Sequence, residues 1–234
     1  TTDNCVNAAN PSQADSDGNG TGDICQPTVI AVPWMGNPNL PHEVIPGGSL
    51  TLQAAAIAPS GEAASLVSGT WDAGDGSGPQ AINVSNPIAL ELNHTFSGSV
   101  GQPYTATISV TDTSANVYTD TFKVVIAPDT LDTRVNMARD EALWNLHKTG
   151  DRSANGRINW QNGTGHPIPA TAAVTQAFGI NGHTQLGNAA EDPYVATVNG
   201  GVNYLLNVLT RQNIGVQAGN NPDANGNVLI FTEN

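Results

Sequence analysis

The sequence predicts a multidomain chain in three parts: an irregular loop wrapped around a hard cation, an all-β sandwich and a small α-helical module. Three observations predict it. Residues 1–27 carry almost no apolar side chains but a regular spacing of oxygen-bearing ones, residues 28–128 alternate apolar and polar positions, and residues 129–234 change to a helical period. The chain has 234 residues with 7 Lys+Arg against 20 Asp+Glu, a net charge of −13 that disfavours nucleic acid as a partner. Charged residues are 12%, against roughly 25% in an ordinary soluble domain, so the surface is polar but mostly uncharged. No stretch approaches the roughly 20 apolar residues that cross a bilayer, so membrane insertion is not expected. No basic-then-apolar leader opens the chain at Thr1, and any export signal is expected to have been removed.

In residues 1–27 no hydrophobic core can offset the ordering entropy of the backbone. The run Asp15-Ser-Asp17-Gly-Asn19-Gly20-Thr-Gly-Asp23 places oxygen ligands at alternate positions, with glycine for the sharp turn. A hard cation needs six to eight oxygens at about 2.3 to 2.6 Å from one curled loop. Asp15, Asp17, Asn19 and Asp23 supply them as side chains and Thr21 as a carbonyl donor, which points to calcium. An EF-hand would need Glu at the twelfth position, where Gln26 stands. Cys5 and Cys25 are read as one bridge of an oxidising compartment, with two free thiols as the alternative. With its flanks, Asp3-Asn-Cys5, Asn10-Pro-Ser-Gln13 and Asp23-Ile-Cys25, the segment resembles a thrombospondin type 3 repeat over about 24 residues. The resemblance implies calcium at Asp15, Asp17, Asn19, Thr21 and Asp23 with Asp3 joining, and disulfide bracing. Val6 and Gln26 depart from the family pattern. The competing reading is a solvated acidic linker without metal.

From Thr28 to Pro128, Leu50, Leu52, Ala54 and Ala56 alternate with their neighbours, as do Tyr104, Ala106, Ile108 and Val110, and Phe122, Val124 and Ile126. Clusters at Pro46–Ser49, Gly74–Pro79 and Ser97–Gly101 separate the runs at the spacing of a sandwich of about seven strands, with Trp71 filling its core. The strings Trp71-Asp-Ala-Gly-Asp75-Gly-Ser77, His94-Thr-Phe96 and Tyr104 to Asp112 resemble the polycystic kidney disease (PKD) domain over about 100 residues. The resemblance implies an immunoglobulin-like sandwich used as a spacer, for adhesion or for polysaccharide contact. Asp72 and Asp75 are read as turn formers, with metal ligation the alternative, and His94 as structural. Three sequons, Asn83-Val-Ser85, Asn93-His-Thr95 and Asn162-Gly-Thr164, are glycosylation candidates compatible with secretion.

After Asp129, Leu131, Val135, Ala138, Ala142 and Leu146 trace one helical face with Leu143 beside it. A second helix is expected over Ala170–Phe178, ending at Gly179. A third starts at Asp192-Pro193 and buries Val195, Val198, Val202, Leu205, Leu206 and Leu209. This part is faintly similar to α/α-toroid repeats, but lacks both the Asp-x-Asp-Asp acid and a cysteine for zinc. Two loops repeat the cation rhythm with one carboxylate each: Asp151, Ser153 and Asn155, and Asn221, Asp223, Asn225 and Asn227. Asx turns are the alternative at both. Val228–Phe231 is expected to be the start of a truncated element or an edge strand that pairs with a neighbour.

His42, His94, His147, His166 and His183 show no zincin spacing, and no nucleophile elbow or Walker A loop occurs. Glu91, Asp140, Glu141 and Glu191 could converge, though no spacing favours it. The sequence therefore predicts a non-enzymatic, calcium-stabilised structural or adhesive protein, secreted or at the cell surface, that self-associates, including into fibres, or binds other surface proteins. Polysaccharide-binding modules of a secreted hydrolase are the alternative, and a small cyclase-like enzyme is a third.

Overall fold

In the computed structural model, the described residues are 3–5, 11–15, 18, 20, 22–23, 26–57, 64–161, 165–212 and 228–231, with residues 209–212 and 228–231 known through their backbone pairing. The β region forms β1 (Thr28–Ala31), β2 (His42–Val44), β3 (Ser49–Ile57), β4 (Leu66–Asp72), β5 (Gln80–Ala81), β6 (Leu90–Thr95), β7 (Pro103–Asp112) and β8 (Val117–Ile126). One sheet has the order β1-β3-β6 and the other β2-β8-β7-β4-β5. β1 pairs antiparallel with β3 whereas β2 pairs parallel with β8, so the chain changes sheets between them. Asp120 on β8 ties the two sheets where they meet, accepting the Ala31 amide at 2.8 Å.

Trp71, Phe96, Phe122, Leu52, Leu90 and Ile108 fill the space between the sheets and are essentially inaccessible to water. Leu52, Ile108 and Phe122 belong to the alternating apolar runs of the sequence and point inward because successive side chains on a strand face opposite sides, and Trp71 fills the core as expected. Tyr104, at the start of β7, donates its hydroxyl to the Ser97 carbonyl at 2.6 Å. Such a tyrosine corner, a buried tryptophan on β4 and a chain that changes sheets between its first two strands fit an immunoglobulin-like sandwich. The turn after β4 needs glycine at Gly74, where φ is +73° and a Cβ would stand 2.2 Å from the Thr105 carbonyl oxygen.

The helical region consists of α1 (Leu131–Thr149), a short hairpin of β9 (Asp151–Arg152) and β10 (Ile158–Asn159), α2 (Pro167–Ile180) and α3 (Pro193–Asn207). Thr130 caps α1 through the Thr133 amide, and Asp192 caps α3 through the Tyr194 amide with Pro193 in the first turn. The expected buried face of α1 is not the observed one. Leu131 is 76% exposed and Val135 53%, and Ala138 and Ala142 are also exposed. The inward face carries Thr133, Asp140, Leu143, Trp144 and His147, which step at helical spacing but are largely polar, so a search for apolar periodicity passes over them. In α3, Val195 and Val198 are buried as expected, but Leu206 is 61% exposed. Leu209 lies beyond the helix in β11 (Leu209–Gln212), which pairs antiparallel with β12 (Val228–Phe231). The last apolar run thus finds its strand partner within this chain.

The buried cluster does not stop at residue 128. It runs from Val29 through Trp71 and Phe122 to Leu143, Trp144, Phe178, Tyr194 and Val198. β3 shows why: residues 50–56 are buried on both faces, because one side faces the second sheet and the other is covered by α1 and α3.

Candidate functional site

Of the candidate calcium ligands in the first segment, Asp3, Asp15 and Asp23 lie among the described residues, while Asp17, Asn19 and Thr21 lie outside them. The Asp23 amide bonds the Ala14 carbonyl at 2.9 Å, which draws the two acidic ends of the 15–23 loop together. Asp15 turns inward on the same loop, accepting the Gly20 amide at 2.9 Å. Asp3 accepts the Cys5 amide at 3.0 Å and the Gln13 side-chain amide at 3.1 Å. Those bonds, the Gln13 one foremost, hold its carboxyl below the usual carboxylate range. A loop closed at its ends with carboxylates at both fits a hard cation coordinated by one segment. Among the described residues no group of three His, Cys, Asp or Glu side chains forms a metal cluster. Cys5 is buried and no described cysteine is a free thiol, while Cys25 lies outside the described residues.

The 151–158 loop is the turn of the β9–β10 hairpin. Ser153 donates to Asn155 Oδ1 at 2.5 Å, the Ser153 amide bonds the Arg157 carbonyl at 3.0 Å, and Asp151 accepts the Asn159 side chain at 3.4 Å. Asn221, Asp223, Asn225 and Asn227 lie outside the described residues, as does Asn162. Asn83 and Asn93 are both exposed, Asn83 in an Asx turn to the Ser85 amide and Asn93 on β6. Asp72 and Asp75 each accept the amide two residues ahead, from Gly74 at 2.9 Å and Ser77 at 3.0 Å. Asp75 also meets His94 Nε2 at 2.8 Å.

The densest polar chemistry lies where α1 and α3 cover the sandwich, in residues the sequence did not mark as a group. His42 on β2 places Nδ1 2.8 Å from Asp140 on α1 and Nε2 2.9 Å from the Val32 carbonyl, and the pair is buried. Both ring nitrogens face oxygen acceptors. Trp144 and Lys148 on α1 both donate to Glu91 on β6, at 2.5 and 2.7 Å. Asn136 donates to Glu43 at 2.8 Å, and Tyr194 on α3 to Gln53 on β3 at 3.3 Å. His147 meets the Ile88 carbonyl through Nε2 at 2.9 Å and the Thr197 hydroxyl through Nδ1 at 2.7 Å. The carbonyl can only accept, so Nε2 carries the proton and Nδ1 takes the hydroxyl hydrogen. Burial, reinforced by the nearby Arg152 charge, pushes this imidazole down to about 3, so it is neutral. Asp140 and Glu91 therefore serve different contacts. The signal for this seam was present as polar residues at helical spacing on α1, without apolar weight to mark them.

Two cavities flank the seam. One, of about 440 Å³, is lined by Trp34, Asn39, Asp120, Lys123 and Glu191 among others. Arg139 stacks over the Trp34 ring at 4.9 Å. The Trp34–Gly36 turn is clasped to the loop after α2, since a Cβ at Gly182 would lie 2.3 Å from the Met35 carbonyl oxygen. The other, of about 410 Å³, opens between the β3 end, α1, the β9–β10 hairpin and α3. Among the described residues no helix is long and apolar enough to cross a membrane.

No family model and no curated protein matches the chain. Among solved structures, fibronectin(III)-like modules of Clostridium thermocellum CbhA are similar at 17% identity over 46% of this chain and 50% of theirs, with a TM-score of 0.30. The PKD1 domain of Vibrio anguillarum Epp matches at 22% identity over 44% of this chain and 98% of that domain, with a TM-score of 0.26. The PKD domain of an M14-like peptidase from Thermoplasmatales archaeon SCGC AB-540-F20 matches at 14% identity over 43% of this chain and 92% of that one, with a TM-score of 0.28. The chain thus spans half the length of the CbhA structure and a fifth, 20%, of a modular Cellulomonas fimi endo-β-1,4-mannanase that it also matches. These likenesses lie with immunoglobulin-like modules over less than half of the chain, and its assignment to that architecture rests on its own strand order.

Proposed function

We propose that this chain is a non-catalytic, calcium-stabilised structural or adhesive module of an extracellular surface protein, able to self-associate into fibres. The observation that supports the reading most is the shared core, in which helices and sandwich are joined, among the described residues, through apolar packing and six polar contacts, those of Asn136, Asp140, Trp144, His147, Lys148 and Tyr194. A block of this kind transmits force between its ends instead of bending at a linker. Calcium held by Asp15 and Asp23, with Asp17, Asn19, Thr21 and Asp3, would replace a core in the first segment and fix its direction relative to β1, while a Cys5–Cys25 bridge would brace the same loop. Among described aromatic side chains none is exposed, so the flat aromatic platform of many polysaccharide-binding surfaces has no candidate there.

Electron microscopy and light scattering on the purified chain, in millimolar calcium and then in EDTA, test the reading. Ordered filaments or oligomers that dissolve on chelation are expected. A monodisperse monomer in both conditions would overturn self-association, and melting and protease sensitivity of the first segment unchanged by EDTA would remove the role of calcium.

A further inference from the structure

The cavity of about 410 Å³ beside the seam differs chemically from the rest of this acidic chain. The chain has 20 acids and 7 Lys+Arg, yet among the described residues no acid lines this cavity and two arginines, Arg152 and Arg157, do. Arg152 is largely enclosed, and its guanidinium donates to the carbonyls of Gly150 at 3.0 Å and His147 at 2.7 Å. Neither arginine meets a carboxylate among the described residues, whereas Arg134 and Lys148 both do. Burial alone pushes Arg152 down to about 10, since nothing anionic offsets the lost hydration. The rest of the lining is largely aliphatic, with Ala55, Ile57, Ile88, Ala196 and, on the hairpin itself, Ile158.

We propose that this cavity binds an aliphatic carboxylate, its acid group on the Arg152 and Arg157 guanidiniums and its hydrocarbon body against the alanine and isoleucine wall. A guanidinium has five N–H donors, and the carbonyl contacts of Arg152 engage only part of that set. The Thr197 hydroxyl at the floor is already engaged, donating to His147 Nδ1 at 2.7 Å and accepting from Arg152 at 3.4 Å, so the acid group is left to the guanidiniums, and the neutral His147 adds no second buried charge. The overall negative field of the protein repels anions at long range. Selectivity must therefore come from the short-range bidentate contact, which strengthens as the ligand body excludes water. The same chemistry is offered by a free short-chain acid and by the C-terminal carboxylate of a peptide ending in small aliphatic residues. This inference does not depend on the proposed structural role.

The test is a titration of the full chain followed by methyl NMR, reading the isoleucine signals of Ile88 and Ile158. The probes are hexanoate against 1-hexanol, and acetyl-Ala-Val against its C-terminal amide. Saturable binding of the two acids is expected, in the millimolar range usual for ligands this small, with the alcohol and the amide about tenfold weaker or more. Whichever acid binds more tightly identifies the source. Arg152 also holds two backbone carbonyls, so the informative variants are Arg157→Gln, which removes a guanidinium outside that web, and Ala196→Leu, which fills the cavity from an exposed helix position. Each should weaken acid binding about tenfold with the melting curve unchanged. Equal binding of acid and amide, no saturation by either acid, or wild-type affinity in both variants would overturn the proposal.

Discussion

The interior of the sandwich and the seam between sandwich and helices bury comparable side chains by different means. Between the sheets, Trp71, Phe122, Phe96 and Ile108 share one apolar cluster, Trp71 edge-on to Phe122, and the Trp71 indole reaches a carbonyl only at 3.4 Å. At the seam four large side chains are anchored by polar partners: Trp144 by Glu91, Tyr194 by Gln53, His42 by Asp140 and His147 by Thr197. Apolar packing tolerates volume-conserving exchange, whereas a buried polar contact fixes one geometry and is costly when half of it is removed. The sandwich should therefore fail gradually under substitution and the seam abruptly.

The largest effect expected is from Trp144→Ala, about 4 kcal/mol, because it empties the centre of the shared core, while the Glu91 carboxylate keeps Lys148. Trp71→Ala should cost about as much. Since the core is continuous, both should lower one common transition in far-UV circular dichroism and calorimetry. A second transition that survives Trp144→Ala at the wild-type midpoint would break the comparison, showing that the sandwich is stable without its cover. Asp140→Ala should follow at about 3 kcal/mol, as it leaves His42 buried beside an empty site. A Phe122→Leu exchange, by contrast, keeps the sandwich apolar and should cost less than Asp140→Ala in the same denaturant titration.

Acid should separate the two regions next. His147 is held neutral with its affinity for protons lowered from 6.5 to about 3, by burial first and by the charges of Arg152 and Lys148 after it. Between those values the unfolded chain binds a proton that the folded chain refuses, so stability falls as pH drops below 6.5. At pH 5 the loss from this residue is about 2 kcal/mol relative to neutral pH. His147→Gln should be less stable at pH 7 but lose this slope between pH 6.5 and 5. An unchanged slope would assign the acid sensitivity elsewhere.

How much of this was legible follows from the same contrast. The strands were readable because each inward position of the sandwich is apolar and each spacing is two, and Asp192-Pro193 and the 3.6 period marked the helices. Tyr104 was read only as an inward strand residue, since nothing in sequence separates a tyrosine that fills space from one whose hydroxyl closes a corner onto Ser97. The face of α1 was misread for a physical reason. Leu131 and Val135 carry the apolar signal but point to water, while on the inward stripe Asp140, Trp144 and His147 are satisfied by partners 50 or more residues away, such as Thr197 and Ile88. Likewise β3 reads as half-buried because Thr51 and Gln53 are polar, though helices cover them and Gln53 is fully enclosed. The two arginines of the cavity are 5 positions apart in sequence, and only the hairpin reveals that they share a wall.

The smallest effect concerns a polar contact inside the sandwich half, and it sharpens the contrast by showing what such a contact is worth at a turn. Asp75 is held down to about 2 from 3.8, chiefly by the Ser77 hydroxyl and then by His94. Its side chain is 14% exposed and His94 10%, so water reaches the site far more than it reaches His147. A depressed carboxylate contributes stability that is present above pH 4 and is lost as pH falls towards 2. The full shift would correspond to about 2.4 kcal/mol, and solvent screening at the turn reduces it to about 1. Asp75→Asn keeps an oxygen for the Ser77 amide and a partner for His94 but removes the charge, so it should cost about 1 kcal/mol at pH 7 and nothing at pH 2. Urea melts of the two proteins at both pH values read this directly. A difference that persists undiminished at pH 2 would mean that the Asp75 site acts through shape, as the seam does, and the distinction between the two regions would narrow to one of packing alone.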